Sequence, residues 1–325
     1  MTNTSLIIPC QEDHSEDINN LFKSIISWTV HPSEILVVDS SKNKIKVQEK
    51  FIHYCNENKL VFKHLFFKNE FFNPGHARNI GLSKASYENI AFLDVKTIPS
   101  NLWLEKSIRL IAETNSLIVW GKTFYEANNK KEQIIRAATY GMSPIRTLPG
   151  SLINHGVFVK CGNFIQTVRA GEDADWIKRC SLHQIDFTDS NELCNYSGLS
   201  GISYLEVLKK WFRNYRSASF LPYISPHKDL YFYSISLFLI VIAYNWNWFW
   251  LDWRLNDEFY LPNITKISIL IISLFYIFLR GVFLPITKGV KWHFLFPFNF
   301  LIISILSALI DFTKAMAFVI SKINR

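Results

Sequence analysis

From Ser5 to Glu113 the chain alternates between short apolar runs and segments with helical spacing, and this restricts the fold more than any other feature. Ser5–Pro9, Glu34–Val38, Leu60–Phe67 and Asn89–Leu93 are apolar runs of strand length. Between them, Glu16–Trp28 carries Ile18, Leu21, Phe22, Ile25 and Ile26 at a helical period. Lys46–Asn58 and His76–Ser86 also read as helices. Such alternation predicts an α/β fold built on a doubly wound, mostly parallel sheet. Further on, Ser100–Glu113 reads as a helix capped by Ser100, Leu117–Phe124 as a strand, and Asp173–Cys180 as a helix. Asn128–Gly150 reads as irregular, because Pro144, Pro149 and Gly150 break regular structure.

Two of the strands run into an acid, Asp39 and Asp94. In open α/β sheets ligands bind in the crevice beyond the carboxyl ends of the strands, so both acids stand where chemistry is expected. Asp39 precedes Ser40 and Ser41, and has two readings: a carboxylate that accepts hydrogen bonds from a ligand, or the cap of a turn. Asn73-Pro74-Gly75-His76-Ala77-Arg78-Asn79 leads into the third helix, and Arg78 is suited to a diphosphate. Gly75 is expected to allow an unusual backbone conformation. Gly171-Glu172-Asp173 offers a second acidic site. These features point to an enzyme acting on a phosphorylated, nucleotide-linked substrate.

Charges are frequent up to about Lys228 and sparse beyond it. Three apolar stretches follow, at about 230–251, 264–284 and 294–318. About 20 apolar residues suffice to cross a bilayer, so these are read as membrane spans, the third being either a span or an interfacial helix. The expected organisation is a catalytic domain over 1–222 and a membrane domain over 223–325. Met1–Asn20 lacks the basic start and apolar run of a signal peptide, so the catalytic part is expected on the cytoplasmic side of the cytoplasmic membrane. Lys209, Lys210, Arg213, Arg216 and Lys228 before the first span agree with that orientation. The acidic loop with Asp252, Asp257 and Glu258 and the basic one with Lys288 and Lys291 agree too, whereas Lys322 and Arg325 in the tail do not. The net charge of +8 is assigned to membrane surface and substrate phosphate, with no nucleic-acid motif in view. Five cysteines show no zinc-like pairing and read as reduced thiols.

Six motifs in order, SLIIPCQED, EILVVDSS, NPGHARNIGLSKAS, IAFLDVKT, WLEK and GEDADWIKR, resemble family 2 glycosyltransferases over about Ser5–Arg179. The resemblance implies the GT-A fold, a Rossmann-like domain that binds a nucleotide-sugar donor, and membrane helices like those of some members. It implies that Pro9, Gln11 and Asp39 hold the nucleotide, and that Arg78, Asn79 and Asp94 line the donor site. It implies Asp173 as general base on the acceptor, with Glu172 in support and Asp175 as the fallback. A divalent ion, Mg²⁺ or Mn²⁺, is usual in the family on an Asp-X-Asp motif. Here the motif reads Asp94-Val95-Lys96, which puts metal dependence in question and leaves two readings open. Either Lys96 neutralises the leaving diphosphate, or Asp94 binds the metal with help from elsewhere.

The expected activity is that of a membrane-anchored inverting glycosyltransferase. It would move a sugar from a UDP-sugar to a lipid-linked or glycan acceptor in envelope polysaccharide or glycolipid assembly. Lys209-Lys210-Trp211-Phe212-Arg213 departs from the Gln-X-X-Arg-Trp of processive synthases and reads better as a basic, aromatic interfacial helix. One rival is a polyprenyl-phosphate glycosyltransferase, whose phosphate acceptor needs no base. Another is a non-catalytic membrane scaffold with a degenerate transferase domain.

Overall fold

The computed structural model describes residues 2–11, 14–68, 70, 72–222 and 262–323. The expected first span, about 230–251, lies outside the described residues. By internal contact the chain divides into two compact units. The first holds Met1–Glu126, Pro144–Ser200 and Ser217–Ile224; the second holds Ala127–Ser143, Gly201–Arg216 and Ser225–Arg325.

In the first unit the predicted alternation is present as β1 (Thr2–Cys10), α1 (Ser15–Ile26), β2 (Pro32–Asp39), α2 (Glu49–Glu57), β3 (Val61–Phe66), α3 (Pro74–Lys84) and β4 (Asn89–Phe92). It continues through β5 (Thr97–Pro99), α4 (Trp103–Thr114), β6 (Ile118–Tyr125), β7 (Ile145–Asn154), α6 (Gly156–Cys161), α7 (Glu172–Leu182) and β8 (Phe187–Tyr196), while α5 (Lys130–Ala138) belongs to the second unit. The eight strands form one sheet in the order β3-β2-β1-β4-β7-β6-β8-β5. Strands β1 to β4 pair in parallel, and β6 is parallel to β8. Strand β7 runs antiparallel to both β4 and β6, and β5 antiparallel to β8.

Side chains on successive strand residues face opposite sides. Leu6, Ile8, Ile35 and Val37 accordingly pack with Phe22, Phe51 and Trp103 of α1, α2 and α4. Ile7, Leu36, Ile90 and Phe92 pack on the other side with Leu82, Phe158 and Trp176 of α3, α6 and α7. The sheet is thus buried between two helical layers, and β1 and β2 read as continuous apolar runs for that reason.

Two elements depart from the expectation for Asn128–Gly150. Lys130–Ala138 is helical, capped by the Asn129 side chain, which accepts from the Glu132 N–H at 3.0 Å. Pro149 and Gly150 lie inside β7 rather than ending it. The sheet tolerates them through a register shift between β6 and β7 at Val119/Gly121. Gly150 takes φ +83°, and its carbonyl accepts the Trp103 indole N–H at 2.7 Å. Ser100 does not cap α4; its hydroxyl donates to Glu192 on β8.

The second unit contains α5, most of α8 (Tyr204–Ala218) and the apolar C-terminal helices. Helix α9 (Pro262–Phe278) runs through a π-helical turn, Leu279–Phe283, into α10 (Leu284–Thr287). After α11 (Trp292–Leu295) the chain breaks at Phe296-Pro297-Phe298, and α12 (Asn299–Ile323) begins. The expected third segment, about 294–318, lies almost wholly in α12, only its first residues falling before the break at Pro297, where proline denies a helix interior its N–H donor. Leu270–Thr287 and Asn299–Ser321 are long and apolar enough to cross a membrane by length and composition.

Helix α12 exposes an apolar face: among the described residues its exposed ones, Leu301, Ile302, Ile305, Leu309, Phe312, Met316, Val319 and Ile323, recur at helical spacing and are apolar. Its buried residues mix apolar Ile303, Leu306, Ile310, Ala315 and Ala317 with Ser304, Ser307, Asp311 and Ser321.

Candidate active site

The site forms where β4 ends and α7 begins, both in the first unit. Arg78, on α3, is buried, and its guanidinium joins the two elements. One nitrogen donates to Asp94 Oδ1 at 3.0 Å, and the other donates to Glu172 Oε1 at 2.5 Å. Burial works against the charge on Arg78, but Asp94, Glu172 and Asp173 outweigh it and hold the guanidinium protonated. Burial pushes the Glu172 carboxyl up to about 7 against the pull of Arg78, and the nearby Asp173 adds to the push. The second oxygen of Glu172 and Nε of Arg78 are buried without a hydrogen-bond partner.

Helix α3 holds this geometry by gripping residues 164–166. The Asn79 amide donates to the Phe164 carbonyl at 2.9 Å and accepts from its N–H at 3.0 Å. Asn73 donates to the Gln166 carbonyl at 2.9 Å. A Cβ at residue 75 would collide with the Ile165 carbonyl oxygen and crowd Glu172, so Gly75 serves close approach. The expectation of an unusual backbone there gives way to this steric reason. Pro74 opens the helix at a position where its missing N–H costs nothing. Beyond the grip, the Ser217 hydroxyl accepts from the N–H groups of Arg169 and Ala170 at 2.5 and 3.3 Å. Gly171 then turns into α7 at φ +90°.

At that helix start Asp173 is partly exposed, and one of its oxygens accepts the Ala174 N–H at 2.8 Å. Asp175 is buried and paired with Arg179 at 3.0 Å. Asp94 keeps a side chain 38% exposed. Lys96, 35% exposed, reaches Asp17 on α1 at 3.6 Å, and Asp17 also meets His14 at 3.1 Å. The Asp17 and His14 partners were not foreseen; the only trace in the sequence is an acidic first turn of α1.

At the end of β1, both polar atoms of the Gln11 amide are buried without a partner. Pro9 is half-buried beside it. Asp39 is fully buried. Its Oδ1 accepts from the Ser41 N–H and hydroxyl, and its Oδ2 from the Ile45 N–H at 3.0 Å and His64 at 2.8 Å. These bonds overcome the burial that would raise the carboxyl, and hold it below the usual carboxylate range. Arg78, Asp94, Glu172 and Asp173 therefore form one cluster, and Asn79 braces it. No described contact joins Asp39 or Lys96 to them.

Residues 5–170 match Glycosyl transferase family 2. The chain belongs to that family. The chain is 25% identical over 171 residues to a chondroitin synthase of Pasteurella multocida (strain Pm70), covering 51% of this chain and 16% of that protein. It is also 25% identical over 187 residues to a chondroitin synthase of Escherichia coli, covering 56% of this chain and 24% of that one. The match thus spans less than a quarter of each relative. Among solved structures, S. aureus TarS 1-349 in complex with UDP-GlcNAc is 16% identical with a TM-score of 0.44, covering 70% of this chain and 69% of that one. The mannosyltransferase PcManGT from Pyrobaculum calidifontis, in complex with GDP-Man and Mn²⁺, is 12% identical with a TM-score of 0.47, covering 67% and 63%. The fold of the chain is GT-A-like, an eight-stranded, mostly parallel sheet between two helical layers.

Proposed function

We propose that this glycosyltransferase transfers a sugar from a nucleotide-sugar donor, a UDP-sugar, to a lipid-linked or glycan acceptor with inversion at the anomeric carbon. The observation that carries the reading is the Arg78 bridge, which ties the acid after β4 to the acids that open α7. In this mechanism Asp173 takes the proton from the acceptor hydroxyl as that oxygen attacks. Glu172 acts through Arg78 and keeps the cluster in register. The unpartnered amide of Gln11 supports a role in reading a ligand's N–H and carbonyl groups, with Pro9 and Asp39 shaping the same strand ends. Lys96 supplies positive charge near the departing diphosphate, and exchanges Asp17 for phosphate when donor binds.

Among the described residues no set of three or more His, Cys, Asp and Glu side chains is arranged to hold a metal ion. Mg²⁺ is commonly held by one or two carboxylates together with substrate phosphates, and the half-exposed Asp94 fits the role of single protein ligand. An ion bound there would neutralise diphosphate charge.

The exposed apolar residues of α12 and α9 support membrane association of the second unit. The polyprenyl-phosphate and scaffold readings remain the rivals. Thermal-shift titration of the purified protein with UDP-, GDP- and dTDP-sugars, with Mn²⁺ or with EDTA, tests the proposal. Stabilisation by a UDP-sugar is expected. No shift with any nucleotide sugar would sink the transferase mechanism in favour of a scaffold.

A further inference from the structure

Strand β3 forms one edge of the sheet, yet its His64 side chain is only 9% exposed. Nε2 of His64 lies 2.8 Å from Oδ2 of Asp39, the last residue of β2. Phe66 is the strand partner of Asp39, and His64, two residues earlier, shares the face of Phe66. Asp39 is held below the usual carboxylate range and is ionised, so it only accepts. The proton of the pair therefore sits on Nε2 of His64.

The loop after β2 fills the other acceptor positions of Asp39. The Ser41 N–H and hydroxyl donate to Oδ1 at 2.9 and 2.5 Å, and the Ile45 N–H donates to Oδ2 at 3.0 Å. A carboxylate offers about four acceptor positions, and with His64 four donors meet them. Asp39 is also 0% exposed. A ligand finds on it neither an open lone pair nor any surface. Gln11, just past the end of the neighbouring β1, is the reverse, since its amide nitrogen and oxygen have no partner.

What Asp39 holds is the loop. Residues 40–45 form no helix or strand; Lys42, Asn43 and Lys44 are exposed, whereas Ser41 and Ile45 are buried. The Ser41 hydroxyl also reaches the Asn43 carbonyl at 2.7 Å. The Ser40 N–H donates to the Cys10 carbonyl at 3.0 Å, one residue before Gln11. The loop is thus tied to β1 at its start and, through Asp39, to β3. Loss of His64 would leave a buried carboxylate short of a charge-assisted bond, which is costly.

We propose that His64 is a positioning residue for the nucleotide-sugar donor, acting through Asp39 to hold residues 40–45 as a wall beside Gln11, and that Asp39 is a brace rather than a ligand of the donor. This rests on the reading of the strand ends as the nucleotide site.

The test titrates full-length protein in detergent with UDP by calorimetry. His64→Leu removes the imidazole donor, and His64→Gln supplies an amide in its place. Kd for UDP is expected to rise about tenfold in His64→Leu and to return to within about threefold of wild type in His64→Gln. Ser41→Ala gives a test of sign at a loop position. A brace that loses one donor loosens the wall, so UDP should bind about threefold more weakly. Tighter binding in Ser41→Ala would mean that the freed lone pair reads the nucleotide, and would overturn the brace. Hydrogen exchange at the Ser41 and Ile45 amides is measured without nucleotide, and is expected to quicken at least ~10-fold in His64→Leu and not in His64→Gln. If the wild type binds no UDP, the donor reading fails by itself, and the exchange rates still decide whether His64 holds the loop. Unchanged UDP binding or unchanged exchange in His64→Leu, or no rescue by His64→Gln, overturns the proposal.

Discussion

Each unit of this protein buries a guanidinium, and the described surroundings of the two differ. Arg78 stands among three acids, Asp94, Glu172 and Asp173. Among the described residues Arg280 pairs with Asp311, and Lys314 lies 4.0 Å from the same carboxylate. A buried ion pair gains little net stability, because desolvation offsets attraction. What the pair does instead is hold charge in a fixed place. The acid-rich cluster suits a group that gives up a proton or carries positive charge, whereas the Arg280–Asp311 pair ties the π-helical turn to α12. The same side chain thus serves different ends according to the neighbours the fold supplies.

Four measurements press on the acid-rich side of that contrast. Arg78→Met leaves Glu172 buried without its partner, and is expected to cost about 3–5 kcal/mol of stability, read as a lower urea midpoint, with activity lost. A midpoint close to wild type would show that the guanidinium does not hold the cluster. Asp173→Asn is expected to lower kcat about 10³-fold while donor binding stays within about twofold. Near-normal turnover would point instead to the phosphate acceptor of the polyprenyl-phosphate rival.

Glu172 sharpens the contrast through pH. Its carboxyl is raised from the ordinary value of 4.5 to about 7, so between those values the folded chain keeps a proton that the unfolded chain has lost. Stability from this group is therefore full below 4.5 and falls as pH rises through about 7, by on the order of 3 kcal/mol. Glu172→Gln should flatten the melting temperature over that window, and an unchanged slope would assign the titration to another group. The smallest effect is expected of Lys96→Ala, about tenfold in kcat/KM, with Asp17→Asn leaving the rate near wild type. Unchanged kcat/KM in Lys96→Ala would leave charge neutralisation to Asp94 and a metal.

The alternation to Glu113 was legible because each buried strand and amphipathic helix writes its period locally. Strand β7 was not, since Pro149 and Gly150 carry the signature of a turn, and only the register shift against β6 makes room for them. The acids and Arg78 of the site were legible as types at strand and helix ends. Their bonding was not. Arg78 and Asn79 read as donor ligands, yet the described hydrogen bonds of Arg78 are to Asp94 and Glu172, and those of Asn79 to Phe164. Those partners lie 16 to 94 positions away along the chain, where no local pattern reaches. His64 on Asp39 and Asp17 near Lys96 escaped for the same reason.

The path of the chain between its two units has a consequence for how the protein is made. Residues 127–143 and 201–216 belong to the second unit, but the ribosome delivers them long before the apolar helices that complete it. During synthesis Trp211 and Tyr215 are made before Lys314, and the amphipathic α8 can settle on a bilayer surface first. No single cleavage releases either unit whole. A chain cut at residue 222 keeps the first unit's sheet but strands two orphaned segments of the second, so its solubility, not its catalytic cluster, should be the first property to fail.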